Sequence, residues 1–217
     1  MKMKKIKILL LVFLFPALTI AQGGAEIVPF AGYMFGGSIK YYEGKLDLKD
    51  GLDYGISVLI PVQSLVDVEI NYTRMDKVKA TFNPYSGYAA FPYDEIYVSS
   101  NYFQLGGISK FYKSTSEIQP FASFSLGATW FDTSPTSESK YDSYTDVWRF
   151  SIALGLGVKF MFTDHVGVMV RGRMLMPMTF AGTSFYLGTG GSGVSMNSWV
   201  APLQGDFNAG LIVKVGN

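Results

Sequence analysis

Hydrophobic and polar residues alternate with a period of two along most of the chain. The alternation is complete between Val66 and Thr73, where every second residue is apolar. A period of two is typical of a β-strand with one apolar face, because successive side chains of a strand point to opposite sides. Comparable segments recur along the rest of the chain. They predict eight strands, at about residues 25–42, 45–62, 66–80, 96–112, 119–132, 147–162, 166–180 and 200–216.

The faces opposite the apolar ones contain small residues and isolated charges. In a soluble β-sandwich the second face meets water and is rich in lysine, glutamate and threonine. Small residues suit the confined interior of a small barrel instead, and broad apolar faces that end in aromatic residues suit contact with lipid. The pattern therefore predicts an all-β fold, an eight-stranded antiparallel up-and-down transmembrane β-barrel.

The first predicted strand is apolar on both faces, so its register has to come from the hairpin that follows. A two-residue loop at 43–44 would pair Tyr42 with Lys45. The even residues of the second strand, including Leu48, would then face outward. The outward residues of the first strand would be Pro29, Ala31, Tyr33, Phe35, Ile39 and Tyr41.

Connections between the predicted strands alternate in length. The short ones are Gln63–Leu65, Lys113–Gln119 and Thr163–His165, and the long ones are about Ala80–Glu95, Thr133–Asp146 and Ala181–Ser198. Outer-membrane barrels have short periplasmic turns and longer extracellular loops. An even number of strands then predicts that both termini lie in the periplasm.

The first 21 residues have the features of a secretory signal peptide. Four lysines between residues 2 and 7 precede an apolar run at Ile8–Phe15, and small residues before Gln22 predict cleavage after Ala21. The apolar run is much shorter than the roughly 20 residues that a spanning helix needs. The predicted organisation is a cleaved signal peptide at 1–21 and one outer-membrane β-barrel domain at 22–217.

Composition supports a membrane barrel over a soluble domain. Charged residues make up only 16% of the chain, whereas soluble domains contain about 25%. Four of the 18 lysines and arginines lie in the signal segment, which leaves 14 against 17 acidic residues. The mature chain is weakly acidic, so no nucleic-acid partner is expected. Because the chain has no cysteine, disulfides cannot stabilise it.

Several segments are similar to a known family. They are Pro29-Phe30-Ala31-Gly32-Tyr33-Met34-Phe35-Gly36-Gly37, Asp67-Val68-Glu69-Ile70-Asn71-Tyr72, Pro120–Leu126 and Gly155-Leu156-Gly157-Val158-Lys159. With these segments the chain resembles a small OmpA-type, or porin-family, outer-membrane β-barrel protein. The resemblance implies the outer membrane of a Gram-negative bacterium as location, with membrane lipid and lipopolysaccharide as partners.

Ten charged residues fall on the predicted inward faces. They are Asp53, Asp67, Glu69, Lys110, Arg149, Lys159, Arg171, Arg173, Asp206 and Lys214. Charges in a narrow interior have to pair, because an unpaired buried charge is very costly. The set therefore predicts a salt-bridge network that fills the lumen. The alternative is a selective conducting path that prefers anions, which is less expected because eight strands leave room for little more than side chains.

Candidate catalytic, cofactor and metal residues are few. Gly188–Gly193 has the GxGxxG spacing, but no helical pattern follows to form a nucleotide site, and a flexible extracellular loop is predicted there. The single histidine, His165, lies in a predicted periplasmic turn with no nucleophile arrangement around it. One histidine without cysteine also provides no metal cluster. The sequence predicts no enzyme, no cofactor and no metal site.

The first long loop is rich in aromatic residues, namely Tyr85, Tyr88, Phe91 and Tyr93. Exposed aromatic residues can mark a contact surface for a protein or glycan partner, although the loop could equally pack on itself over the barrel mouth. The function predicted is therefore a non-enzymatic integral outer-membrane barrel with an envelope-structural or surface-interaction role. The alternative is a narrow porin-like barrel, or one that transports hydrophobic solutes.

Overall fold

The computed structural model describes residues 24–40, 44–86, 94–112, 117–137, 146–188, 191–200 and 203–216. The predicted signal peptide lies outside these residues. The strands are β1 (Ala25–Phe35), β2 (Ser38–Lys40), β3 (Gly44–Leu48), β4 (Gly51–Gln63), β5 (Val66–Pro84), β6 (Asp94–Lys110), β7 (Ile118–Pro135), β8 (Val147–Met161), β9 (Val166–Gly188), β10 (Gly191–Val200) and β11 (Gln204–Val215). Within the described ranges there is no helix long and apolar enough to cross a membrane.

Eight of these strands pair into a closed antiparallel ring. The order around the ring is β1, β4, β5, β6, β7, β8, β9 and β11, and β11 pairs with β1 to complete it. β2 and β3 form a hairpin beside the far part of β5, and β10 pairs with the far part of β9. The predicted eight-stranded antiparallel barrel is confirmed. Closure pairs each of the eight ring strands on both sides, so the ring itself has no open edge.

The two ends of the barrel differ. One end of the barrel contains residues 24 and 216, the turns at 64–65 and 162–165, and the ends of β6 and β7 at Lys110 and Ile118. We call it the short-turn end. The opposite end, called the long-loop end, contains the β2–β3 and β9–β10 hairpins and the connections from β5 to β6 and from β7 to β8. This alternation of short and long connections agrees with the sequence analysis.

Several strands at the long-loop end continue further than the sequence indicates. β5 reaches Pro84 and β7 reaches Pro135, so the connections that follow them are shorter than predicted. The predicted loop at 181–198 is a hairpin in which Gly188 pairs with Gly191. Gly188 and Gly191–Gly193 lie in strands and not in the predicted loop, and residues 189–190 lie outside the described residues. Strand pairing needs only backbone groups, so it continues where the apolar alternation has ended.

The register of the first hairpin differs from the prediction by two residues. Lys40 pairs with Lys45, which leaves four residues in the loop in place of two, so the predicted pair of Tyr42 with Lys45 is wrong. A shift of two residues keeps every side chain on its face, whereas a shift of one would reverse them all. Tyr33 and Phe35 accordingly point outward as predicted. The side chains of Ile39 and Tyr41 lie outside the described residues.

An irregularity at the long-loop end reverses the facing at the start of the second predicted strand, whereas Leu52, Tyr54 and Ile56 point outward as predicted. Leu48 packs against apolar residues of the interior, contrary to the predicted outward orientation. The alternation changes phase at Lys49 and Asp50, which are both exposed. The neighbouring β5 has a bulge at Asp76 and Lys77, and Lys77 adopts a φ of 42°. Such an extra residue re-aims the side chains that follow it.

The outer wall of the barrel has an apolar band between two groups of exposed aromatic residues. Those towards the long-loop end are Tyr33, Phe35, Tyr54, Phe103, Trp148 and Phe150, and those at the short-turn end are Phe111, Tyr112, Phe160 and Phe162. Exposed aliphatic residues such as Ile56, Ile70, Leu105 and Leu156 lie between them. Aromatic girdles on either side of an apolar band are typical of barrels that span a bilayer.

Candidate functional site in the barrel interior

The barrel encloses most of the charged residues that the sequence places inside. Buried charged residues of the predicted set are Asp53, Asp67, Glu69, Lys110, Lys159, Arg171, Arg173 and Asp206. Arg149 and Lys214 are only partly buried. Arg149 donates to the carbonyl oxygen of Trp148 near the long-loop end, and Cε of Lys214 lies close to Gly24, at the start of β1.

Two lysines and two acids form one network near the short-turn end, which we call the lysine network. Lys110 of β6 donates to Oδ1 of Asp67 at 2.7 Å. Lys159 of β8 donates to the other oxygen of Asp67 at 3.0 Å and to Oε2 of Glu26 at 2.7 Å. Both lysine side chains are almost completely removed from solvent. Such charges are stable only when they are paired.

Apolar side chains surround the lysine network. The cluster consists of Val28, Leu59, Ile108, Phe121, Met169 and Ile212. These residues exclude water, and in the resulting low dielectric each ion pair is strong and each unpaired charge is costly. The short-turn half of the interior is therefore filled by paired charges and apolar groups.

Arg171 belongs to a second network nearer the middle of the barrel. Its Nη1 donates to Glu69 of β5, its Nη2 donates to Ser57 at 3.0 Å, and its Nε donates to Asn208 at 3.2 Å. Ser57 in turn donates to Glu69 at 2.7 Å. The acceptors of this guanidinium group therefore come from three strands. Arg171 as a whole is 1% exposed.

Arg173 extends this arginine network along β9. Its Nε donates to both oxygens of Asp206, at 3.0 and 3.1 Å, and its Nη2 donates to Asp206 as well. Asn71 and Thr73 of β5 accept from Nη1 and Nη2 at 2.9 and 3.0 Å. An arginine that faces a carboxylate with two nitrogens forms a strong and directional pair.

The ring of Phe30 lies beneath both arginines. The guanidinium carbons of Arg171 and Arg173 are 5.1 and 5.3 Å from the ring centroid. Cations at this distance over an aromatic face are attracted by its quadrupole. Phe30 therefore stabilises two neighbouring positive charges, which the acids paired with the two arginines neutralise.

A second apolar cluster fills the interior towards the long-loop end. It consists of Met34, Met75, Val78, Tyr102, Ala153 and Leu175, with Leu48 packed against it. The hydroxyl of Tyr102 donates to Gln204 at 2.5 Å. Apolar packing thus closes the interior above the arginine network.

Sequence reasoning missed Glu26 and Phe30, which complete the two networks. Both residues are even-numbered in β1, whereas the outward residues of that strand are odd-numbered. The register argument therefore already placed them inside, but the apolar character of both faces of the strand concealed this.

The remaining candidate residues are not brought together. His165 is exposed in the turn at the short-turn end, and its backbone N–H donates to Oγ1 of Thr163 at 3.2 Å. No group of three or more histidine, cysteine or acidic side chains that could hold a metal occurs in the part of the chain that the structure describes. Tyr85 follows β5 and is exposed. Tyr88, Phe91 and Tyr93 lie outside the described residues.

Comparison with known proteins gives structural likeness without sequence likeness. No protein-family profile matches the chain, and no curated protein matches it by sequence. The outer membrane protein OprG from Pseudomonas aeruginosa superposes with a TM-score of 0.53 at 13% identity, over 89% of this chain and 97% of OprG. Neisserial surface protein A (NspA) gives 0.53 at 15% identity, over 88% of this chain and 97% of NspA.

The outer membrane protein AlkL, solved in lipid bilayers, superposes with a TM-score of 0.50 at 13% identity, over 89% of this chain and 92% of AlkL. Identities this low establish fold and nothing finer. The shared feature is the closed antiparallel ring of eight strands. This chain has the fold of the small eight-stranded outer-membrane β-barrels.

Proposed function

We propose that this protein is a non-enzymatic integral outer-membrane β-barrel of a Gram-negative bacterium, with an interior sealed by side chains and a structural or surface-interaction role in the envelope. The observation that carries the proposal is the span of its buried ion pairs. Arg171 is on β9 and Glu69 is on β5, and these strands are diametrically opposite in the ring of eight. The pair therefore crosses the full width of the lumen.

Other bonds cross the interior in the same way. Arg173 reaches from β9 to Asn71 and Thr73 on β5, and Lys159 reaches from β8 to Asp67 on β5. An aqueous path along the axis would have to separate these buried partners. Because these groups are bonded across the lumen and removed from solvent, the arrangement supports a sealed barrel over an open pore.

The alternative, a barrel that transports hydrophobic solutes, has one feature in its favour. The pairing of β1 with β11 is interrupted at Val28 and Pro29, where proline has no N–H to donate. A shallow depression of about 400 Å³ lies on the outer wall there, next to Ala31 and Leu211. Directly inside it, however, Val28 and Phe30 are buried and packed. A solute entering at this point would meet a filled interior, and the sealed barrel is supported better.

The two ends of the barrel suggest how the protein lies in the membrane. The apolar band and its aromatic girdles fit the hydrocarbon layer, with membrane lipid and lipopolysaccharide as the surrounding partners. Short turns are typical of the periplasmic side, so we place the short-turn end and both termini there. A protein or glycan partner would then meet the long-loop end, where Tyr85 is exposed.

Labelling of single cysteines tests this placement, since the chain has no cysteine of its own. Ser137→Cys lies at the long-loop end and Asp164→Cys at the short-turn end, and both positions are exposed. In intact cells, a thiol reagent that does not cross membranes is expected to label Ser137→Cys only. The Asp164→Cys variant should react only after the outer membrane is permeabilised. The reverse pattern would refute the orientation, and labelling of neither variant in intact cells would refute exposure at the cell surface.

A further inference from the structure

Asp53 differs from the other acids of the interior. It lies on β4 and is 1% exposed, yet neither of its carboxyl oxygens receives a hydrogen bond from a described residue. Glu26, Asp67 and Asp206 all accept from lysine or arginine. A buried carboxylate without a donor is strongly disfavoured. Asp53 is therefore expected either to carry a proton or to bind a cation.

The group facing Asp53 is another acid. Asp53 and Asp206 are both buried on inward faces, on strands that have only β1 between them in the ring, and the carboxyl of Asp206 acts electrostatically on that of Asp53. Asp206 already accepts from Arg173 and, at 3.1 Å, from Nδ2 of Asn208. Two acids in contact cannot bond to each other while both are ionised, because each offers only acceptors. A proton between them converts the contact into a hydrogen bond.

Gly32 of β1 lies between the strands that carry the two acids. It pairs with Asp53 on one side and with Asn208 on the other, and Asp206 pairs with Met34, two residues further along β1. A Cβ atom at Gly32 would lie 2.6 Å from Cβ of Asn208. Gly32 therefore adds no side chain to the inward face between Asp53 and the strand of Asp206.

The numbers of buried acidic and basic groups also indicate a bound proton. Among the buried groups of the two networks there are five acids, Glu26, Asp53, Asp67, Glu69 and Asp206, and four bases, Lys110, Lys159, Arg171 and Arg173. All four bases are paired with acids other than Asp53. One negative charge is therefore left over, and it belongs to the residue without a donor.

We propose that Asp53 and Asp206 form a proton-binding site, in which the protonated carboxyl of Asp53 donates to Asp206. With this proton the interior is neutral. When the proton leaves to water, the electron pair of the O–H bond stays on Asp53 and two like charges face each other. The charged or titratable groups around the pair are Arg173 and Arg171 of β9, Glu69 of β5 and Tyr102 of β6. A metal ion fits the site less well, because Arg173 already occupies both oxygens of Asp206.

The site makes barrel stability depend on pH. The folded state binds the proton and the unfolded state, with Asp53 in water, releases it, so stability falls as pH rises. One proton changes the folding equilibrium constant by up to about tenfold per pH unit. Above about pH 5, where the paired carboxylates are ionised in both the folded and the unfolded state, we expect the unfolding midpoint of the refolded barrel to fall as the pH rises. In Asp53→Asn, whose amide donates to Asp206 without a charge, this decline should be smaller and the midpoint at alkaline pH should exceed that of the wild type.

Ser57→Ala is the matched control, because Ser57 is buried in the arginine network and hydrogen-bonded to Glu69 but carries no charge. It should be less stable than the wild type from neutral to alkaline pH, with the same pH slope. An Asp53→Asn barrel that keeps the wild-type slope would overturn the proposal. So would stabilisation of the wild type, but not of Asp53→Asn, by added sodium or calcium at alkaline pH, since a metal ion would then fill the site.

Infrared spectroscopy of the wild type provides a readout that does not depend on the variant folding. In protein whose aspartate carboxyl groups carry a carbon isotope label, the spectrum at neutral pH should contain a band of a protonated carboxyl group. Exchange into deuterium oxide should shift this band. Absence of this band would show that Asp53 is ionised and would overturn the proposal.

Discussion

Replacing Asp67 with alanine is expected to lower the free energy of unfolding of the barrel by about 3–5 kcal/mol. The change removes the carboxylate that Lys110 and Lys159 share, and it leaves excess positive charge buried among apolar residues. Denaturant unfolding of the refolded protein in detergent or lipid, followed by tryptophan fluorescence, measures the loss.

Asp47→Ala is the matched control for this variant. Asp47 also forms an ion pair, at 2.6 Å with Lys45, but both partners are more than a third exposed. Exposed pairs contribute about 0–1 kcal/mol, so this variant should be almost as stable as the wild type. Equal losses in the two variants would mean that the lysine network does not stabilise the barrel more than a surface contact does.

Replacing two adjacent glycines with alanine is expected to lower the stability of the barrel at one position and leave it almost unchanged at the other. A Cβ at Gly106, on the inward face of β6, would lie 2.1 Å from the carbonyl oxygen of Phe124 and 2.4 Å from Cβ of Ser125. Gly106→Ala therefore forces the backbone of β6 and β7 apart, and overpacking of this kind costs about 1–3 kcal/mol. At Gly107, on the outward face, the nearest atom would be 3.7 Å away.

Gly107→Ala should therefore change stability by less than about 0.5 kcal/mol. The same unfolding experiment measures both glycine variants. Similar losses at Gly106 and Gly107 would show that conformational freedom of glycine, and not the space on the inward face, decides which residues the strand accepts.

The side of the barrel wall to which each side chain points could be predicted, because residues for the two faces alternate along a strand. The alternation of Val66 to Thr73 places Asp67 and Glu69 inside, and both are buried there. The strand number followed from the spacing of the turn segments. These features depend on local sequence alone, which is why a single chain was enough.

Properties that depend on distant strands could not be predicted. The first hairpin has a four-residue loop in place of two, and Leu48 faces inward because of an irregularity that no residue type marks. The partners of the buried charges were also out of reach. Arg171 meets Glu69 only because the ring closes with β9 opposite β5, and alternation contains no information on which strands become opposite.

Conductance of the purified barrel in a planar lipid bilayer tests the central claim, that side chains seal the lumen. We propose that the ion pairs that cross the interior from β8 and β9 to β5 block an aqueous path along the axis. Inserted protein, verified by heat-modifiable gel mobility, should give no reproducible unitary current at any voltage, while a porin reconstituted in parallel conducts. Reproducible unitary currents that scale with salt concentration would contradict the account.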